Sequence, residues 1–144
     1  MPKPGFEKIE HSDSRLFGPR KLLLCGFSDQ AQEKFTALLE MIGIEDLPVV
    51  WVLDQQAEMT LQELIGLPSG AGVCQSSTLP RAIVVSGITE NELHQLMSAC
   101  RKTGMKQALW AALTPTSSTW RLRRLLAELS AEKAAMSRGQ QPRR

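Results

Sequence analysis

The stretch "TPTSSTWRLRR" (114–124) holds the densest set of side chains suited to receiving a ligand: clustered hydroxyls, a Pro, a Trp and three arginines. It leaves an apolar run and enters a helix-like pattern. Backbone N–H groups at a helix start and nearby guanidinium groups both favour a negative group. The pattern predicts an anion site made by Thr114, Thr116 and Ser117 with Arg121 and Arg124, Arg123 standing between those two and Trp120 holding the loop. A competing reading has a Ser/Thr helix cap, Trp120 packed as a hydrophobic staple and arginines in water. Both stay open, because helical geometry spreads positions 121, 123 and 124 around the axis. The matching place in the first half reads Asp54-Gln55-Gln56-Ala57-Glu58, which is acidic and repels an anion.

Little else offers chemistry. Of the two histidines, His11 falls in the start read as mobile and His94 has no His or Cys four residues on, and Cys25, Cys74 and Cys100 lack any CxxC arrangement, so no metal and no cofactor are expected. Neither G-x-G-x-x-G nor G-x-x-x-x-G-K-[ST] occurs, which argues against a nucleotide. The cysteines read as small reduced core residues. A thiol-dependent enzyme using Cys25 is a third reading, and it requires a depressed thiolate pKa. With no catalytic signature, the expectation is a non-enzymatic binding or interaction module.

Charge supplies the main alternative. Residues 1–21 carry a net +2, residues 22–114 carry −5 and residues 115–144 carry +5. Such an asymmetry suits an RNA- or DNA-associated protein using the basic C-terminal segment, and equally a solvated helix face with a basic tail. Partner classes are therefore a small anion or nucleic acid at that segment, and a second copy in a homodimer. The chain has no run of about 18 apolar residues, and Met1-Pro2-Lys3-Pro4 does not begin a secretory signal. No membrane contact is expected, and the predicted location is cytoplasmic.

At 144 residues the chain suits one domain. An offset of 61 lays Leu22-Leu23-Leu24-Cys25-Gly26-Phe27-Ser28 on Ile83-Val84-Val85-Ser86-Gly87-Ile88-Thr89, Gly43 on Gly104, and Leu61, Leu64 and Ile65 on Leu122, Leu125 and Leu126. An offset of 59 lays Trp51 on Trp110. These landmarks predict an internal duplication, with repeats 22–65 and 83–126 inside a single α/β domain spanning 19–137, a mobile segment at 1–18 and a mobile basic tail at 138–144.

Each repeat reads strand, helix, strand, helix. "KLLLC" and "RAIVV" are strands followed by a glycine turn, and Ser28 and Thr89 cap the next helix, Thr89 and Glu92 at capping-box spacing. Phe35, Leu38, Leu39 and Ile42, like Leu93, Leu96, Met97 and Cys100, form one apolar helix face, and Gly43 and Gly104 end those helices. "VVWVL" and "ALWAAL" are the second strands, with Trp51 and Trp110 as core aromatics. Thr60 and Glu63 cap a short helix ending near Gly66, and Leu122, Leu125, Leu126 and Leu129 mark a longer one reaching about Met136. "GLPSGAGVCQSSTLP" connects the halves as a loop. Strands that are apolar throughout favour one four-stranded sheet with helices on both faces, or a dimer covering an open face. The alternative is a ferredoxin-like α+β sheet with one face open.

The Gly87 turn, Gly104, Leu113-Thr114-Pro115-Thr116, and Trp120 leading into Leu122, Leu125, Leu126 and Glu128 make residues 81–133 resemble the domain-of-unknown-function family 3783. The resemblance implies a small bacterial or archaeal protein and a fold. It implies no activity.

Overall fold

Leu22-Leu23-Leu24 and Ile83-Val84-Val85 have no polar face to turn to water. In the computed structural model, which describes residues 14–137 apart from 45 and 106, they form the two central strands of one sheet. The elements run β1 (Lys21–Cys25), α1 (Asp29–Met41), β2 (Val49–Val52), α2 (Leu61–Ile65), β3 (Ala82–Ser86), α3 (Glu90–Lys102), β4 (Leu109–Ala112) and α4 (Leu122–Ser137). Short 3-10 turns at Asp54–Glu58 and Ser117–Thr119 precede α2 and α4. The strand order is β2-β1-β3-β4. β1 is parallel to β2 and β3 to β4, while β1 and β3 are antiparallel, from Lys21 opposite Ser86 to Cys25 opposite Ala82.

Alternation along the strands sends side chains to two cores. Leu22, Leu24, Ile83 and Val85 meet Phe35, Leu38 and Leu39 of α1 and Leu96 and Ala99 of α3. Leu23, Cys25, Ala82 and Val84 meet Leu61, Leu64 and Ile65 of α2 and Leu122, Leu125 and Leu126 of α4. Both faces of the sheet are covered, as continuously apolar strands require, and the ferredoxin-like arrangement with one open face is not formed.

Local chemistry ends the elements where expected. The Ser28 hydroxyl accepts from Ala31 N–H, and Thr60–Glu63 and Thr89–Glu92 form reciprocal capping boxes. The start of α4 differs from the Ser/Thr cap expected there. Its first amide, Leu122 N–H, donates to Met59 O, and Leu61 N–H donates to Trp120 O, so the two short-turn joints satisfy one another across the halves.

The segment between α2 and β3 is irregular, yet it does more than connect. Gly70 N–H donates to Val49 O and Trp51 N–H donates to Ala71 O, so this segment covers the outer edge of β2. Gln32, buried in α1, fastens it by accepting from Cys74 N–H and donating to Gln75 O. Trp51 is consequently enclosed at 4% exposure. Trp110 is only half-buried, not the core aromatic the sequence suggests, because no equivalent segment follows β4 among the described residues. Residues 1–13 and 138–144, including His11 and the basic tail, lie outside the described residues. Residues 14–18, read from sequence as part of a mobile start, are hydrogen-bonded: Leu16 N–H to Ile88 O, Gly87 N–H to Phe17 O and Glu90 N–H to Ser14 O.

Candidate functional site

The two strand-to-helix joints are built alike. Gly26 and Gly87 both have positive φ, +79° and +67°. A Cβ at Gly26 would overlap the backbone of Leu79-Pro80-Arg81, and one at Gly87 the backbone of Gly18-Pro19-Arg20. Each joint is thus roofed by the segment entering the other central strand, and each roof ends in Pro-Arg. The arginines, Arg20 and Arg81, are the residues that sequence reasoning missed. The dipeptides "PR" at 19–20 and 80–81 share the offset of 61 and were the available signal.

The two arginines then meet different partners. Arg20 chelates Glu92, Nη1 to Oε1 at 2.7 Å and Nη2 to Oε2 at 2.8 Å. Glu92 is the third residue of α3, so the same carboxylate also closes the capping box. The Arg20 guanidinium holds the Glu92 carboxyl down at about 2, and the bond to Glu92 raises Arg20 in turn. At the matching place in α1 stands Ala31, which has no carboxylate to offer. Arg81 instead lies flat over the Phe27 ring, 4.1 Å from its centre, and donates Nε–H to Gly26 O. No carboxylate among the described residues pairs with it. Burial lowers the Arg81 pKa, with Cys100 nearby opposing, and the group remains a cation at neutral pH.

Arg81 borders a cavity of about 400 Å³ between the α1/α3 layer and the end of the sheet. Its apolar walls are Phe27, Phe35, Ile83, Met97, Met105 and Trp110. Cys100, Arg101, Gln107 and Ala108 complete it. Burial pushes the Cys100 thiol up, with Arg81 opposing, so the sulfur is a neutral lining group. The arrangement is an apolar chamber with a desolvated cation at its rim, a combination that selects an apolar body carrying a negative group.

Thr114 and Ser117 are brought together, but bond each other: Thr114 N–H donates to Ser117 Oγ at 3.0 Å and Ser117 N–H to Thr114 Oγ1 at 2.9 Å. Their hydroxyls belong to a turn preceding the helix. Thr116 is exposed, and its carbonyl accepts from Thr119 Oγ1. The arginines turn away from these hydroxyls. Arg121 and Arg123 both pair with Glu58, from the acidic stretch of the first half. Arg124 stacks on Trp120 at 4.0 Å and approaches Glu128. The unfavourable placement of positive charge at a helix start is relieved within the chain. Cys25 is fully buried and its thiol is pushed up to about 12, opposite to what a thiolate nucleophile needs, which removes the basis for a thiol enzyme at that residue. Among the described residues there is no group of three or more His, Cys, Asp or Glu able to hold a metal ion, and no helix long and apolar enough to cross a membrane.

Residues 81–136 match the family model described as Domain of unknown function (DUF3783), so the stretch from β3 to the last turn of α4 is similar to a segment of that family. The match covers the stretch whose residues carry the resemblance. No curated protein and no solved structure matches the chain.

Proposed function

We propose that the protein is a small binding module of the cytoplasm whose cavity at Arg81 receives an apolar carboxylate or a similar organic anion. One observation carries this reading. Arg20 and Arg81 occupy like joints, yet Glu92 neutralises the first while Ala31 leaves the second facing a cavity. A partly desolvated arginine without a carboxylate partner is costly, and a bound anion offsets that cost with charge-assisted hydrogen bonds. The volume falls within the roughly 300–1,000 Å³ of small-molecule sites. The reading takes the halves, 22–65 and 83–126, as two copies of one unit in a single domain, in which one copy kept or gained the internal carboxylate and the other binds it from outside. Three free cysteines, none in a disulfide, suit a reducing compartment.

Trp110 in the cavity wall provides the test. Octanoate should change tryptophan fluorescence and shift the amides of residues 81 and 97–110 in NMR spectra, while the neutral octanamide binds about tenfold or more weakly. Arg81→Gln should abolish that preference. Equal binding of acid and amide, or a preference that survives Arg81→Gln, would refute the reading.

A further inference from the structure

The two ends of the sheet are finished differently. In a parallel ladder alternate residues of each strand turn their N–H and C=O groups to one neighbour. On β4, Leu109 N–H donates to Arg81 O and Leu113 N–H to Val85 O, so residues 109, 111 and 113 face β3. The N–H and C=O groups of Trp110 and Ala112 therefore point outward. On β2 the equivalent outward groups, Val49 O and Trp51 N–H, are taken by Gly70 and Ala71. No described residue does this for β4. The strand, Leu-Trp-Ala-Ala, also lacks the charge, proline or bulge that usually protects an edge.

From this edge we infer that the protein pairs with a second copy of itself, β4 against β4 in antiparallel fashion, about a twofold axis at Ala111. The edge is complementary to itself. With the axis at Ala111, Trp110 faces Ala112 of the partner subunit, and the two residues exchange both backbone hydrogen bonds. The symmetric pair repeats this, giving four bonds, and the two Ala111 residues meet at the axis, where small side chains permit close approach. On the α1/α3 face the half-buried Trp110 would cover the partner's Ala112, a large side chain against a small exposed one. On the opposite face α4 runs beside β4 and lines a cleft with Leu129, Glu132, Lys133 and Met136, the last 67% exposed. A twofold axis sets this mixed strip against its own copy, Leu129 and Met136 supplying apolar surface and Glu132 and Lys133 offering opposite charges to the partner. The product is a continuous eight-stranded sheet, β2-β1-β3-β4 followed by the same order reversed. This inference rests on the strand edge and does not depend on a ligand at Arg81.

The full chain should be followed by sedimentation and by amide hydrogen exchange over a wide concentration range. The mass should rise from monomer to dimer, and the amides of Trp110 and Ala112 should slow about tenfold when about nine-tenths of the chain is dimeric. Leu109 and Ala111, bonded to β3, should be protected throughout. Ala112→Pro removes an outward donor while leaving the β3 ladder intact, and should be monomeric with an unchanged circular-dichroism spectrum. Ala112→Asp, which places a charge against Trp110 of the partner subunit, should be monomeric as well and serves if the proline variant misfolds. A chain that stays monomeric would overturn the inference. So would a dimer whose Trp110 and Ala112 amides exchange freely. Protection of those amides independent of concentration would show that another part of the chain covers the edge, and would overturn it too.

Discussion

Ala31→Glu gives the first half the carboxylate that the second half already has. In α3 the equivalent Glu92 makes two charge-assisted bonds to Arg20, at 2.7 and 2.8 Å, and a capping-box bond from Thr89 N–H at 3.0 Å. The Arg20 and Glu92 side chains are 22% and 19% exposed, so solvent screens the pair only in part. An exposed ion pair contributes about 0–1 kcal/mol, and a hydrogen bond to a charged group about 1.5–3 kcal/mol before screening is discounted. A box closed at Ser28 adds about 0.5 kcal/mol, and a carboxylate in the first turn suits the helix dipole. The expected gain is about 1–2 kcal/mol, or a rise in Tm of about 3–8 °C for a domain of this size. The assay is urea unfolding of both proteins, repeated with Arg81→Gln and with the double variant. The cycle should place most of the gain in the coupling between positions 31 and 81. The variant should also lose its affinity for octanoate, since the internal carboxylate now occupies the guanidinium. A stable Ala31→Glu protein with no coupling to Arg81 would refute the equivalence of the two joints. Retained octanoate binding alongside strong coupling would separate the joint from the ligand and move the site elsewhere.

Three further outcomes follow from the same geometry. Gly87→Ala should destabilise the protein by about 3 kcal/mol or more in chemical unfolding, because a Cβ there is strained at positive φ and overlaps the backbone of Gly18-Pro19-Arg20; a cost below about 1 kcal/mol would contradict the close roof. The Glu92 carboxyl sits at about 2 in the fold, below its ordinary value near 4.5, so its contribution is complete above the ordinary value and is lost as pH falls toward 2; Glu92→Gln should remove this part of the acid dependence of stability and leave the neutral-to-alkaline limb unchanged. Glu58 holds Arg121 and Arg123, so Glu58→Gln should let inorganic phosphate perturb the amides of residues 114–124 at low salt more than in the parent protein; equal responses would rule out an anion site at Thr114, Thr116, Ser117 and those arginines.

Much of the architecture was legible because it depends on neighbours in the chain. Strand positions followed from short apolar runs, and β1 spans the residues read from "KLLLC". Helix starts followed from hydroxyl caps at Ser28, Thr60 and Thr89, which act within three residues. The order strand, helix, strand, helix in each half, and its two-sided covering, came from the same local patterns. Where the reading of Trp110 departed from the structure, the local signal was no different from that of Trp51. A strand residue cannot register whether a distant segment will fold back over its edge, and only β2 has residues 70–71 doing so.

The candidate sites divide in the same way. Hydroxyls and arginines close together at 114–124 made an anion site the natural reading, but helix geometry and Glu58, more than fifty residues earlier, direct those charges elsewhere. Arg81, isolated in sequence, becomes notable only when antiparallel pairing of β1 with β3 lays its segment over Gly26 and beside α3. Element type and position were set by residues a few places apart, through propensity, capping and periodicity. Which charges are neutralised, which strand edge stays open and where a cavity remains depended on contacts between residues far apart in the chain, because electrostatics and packing act through space.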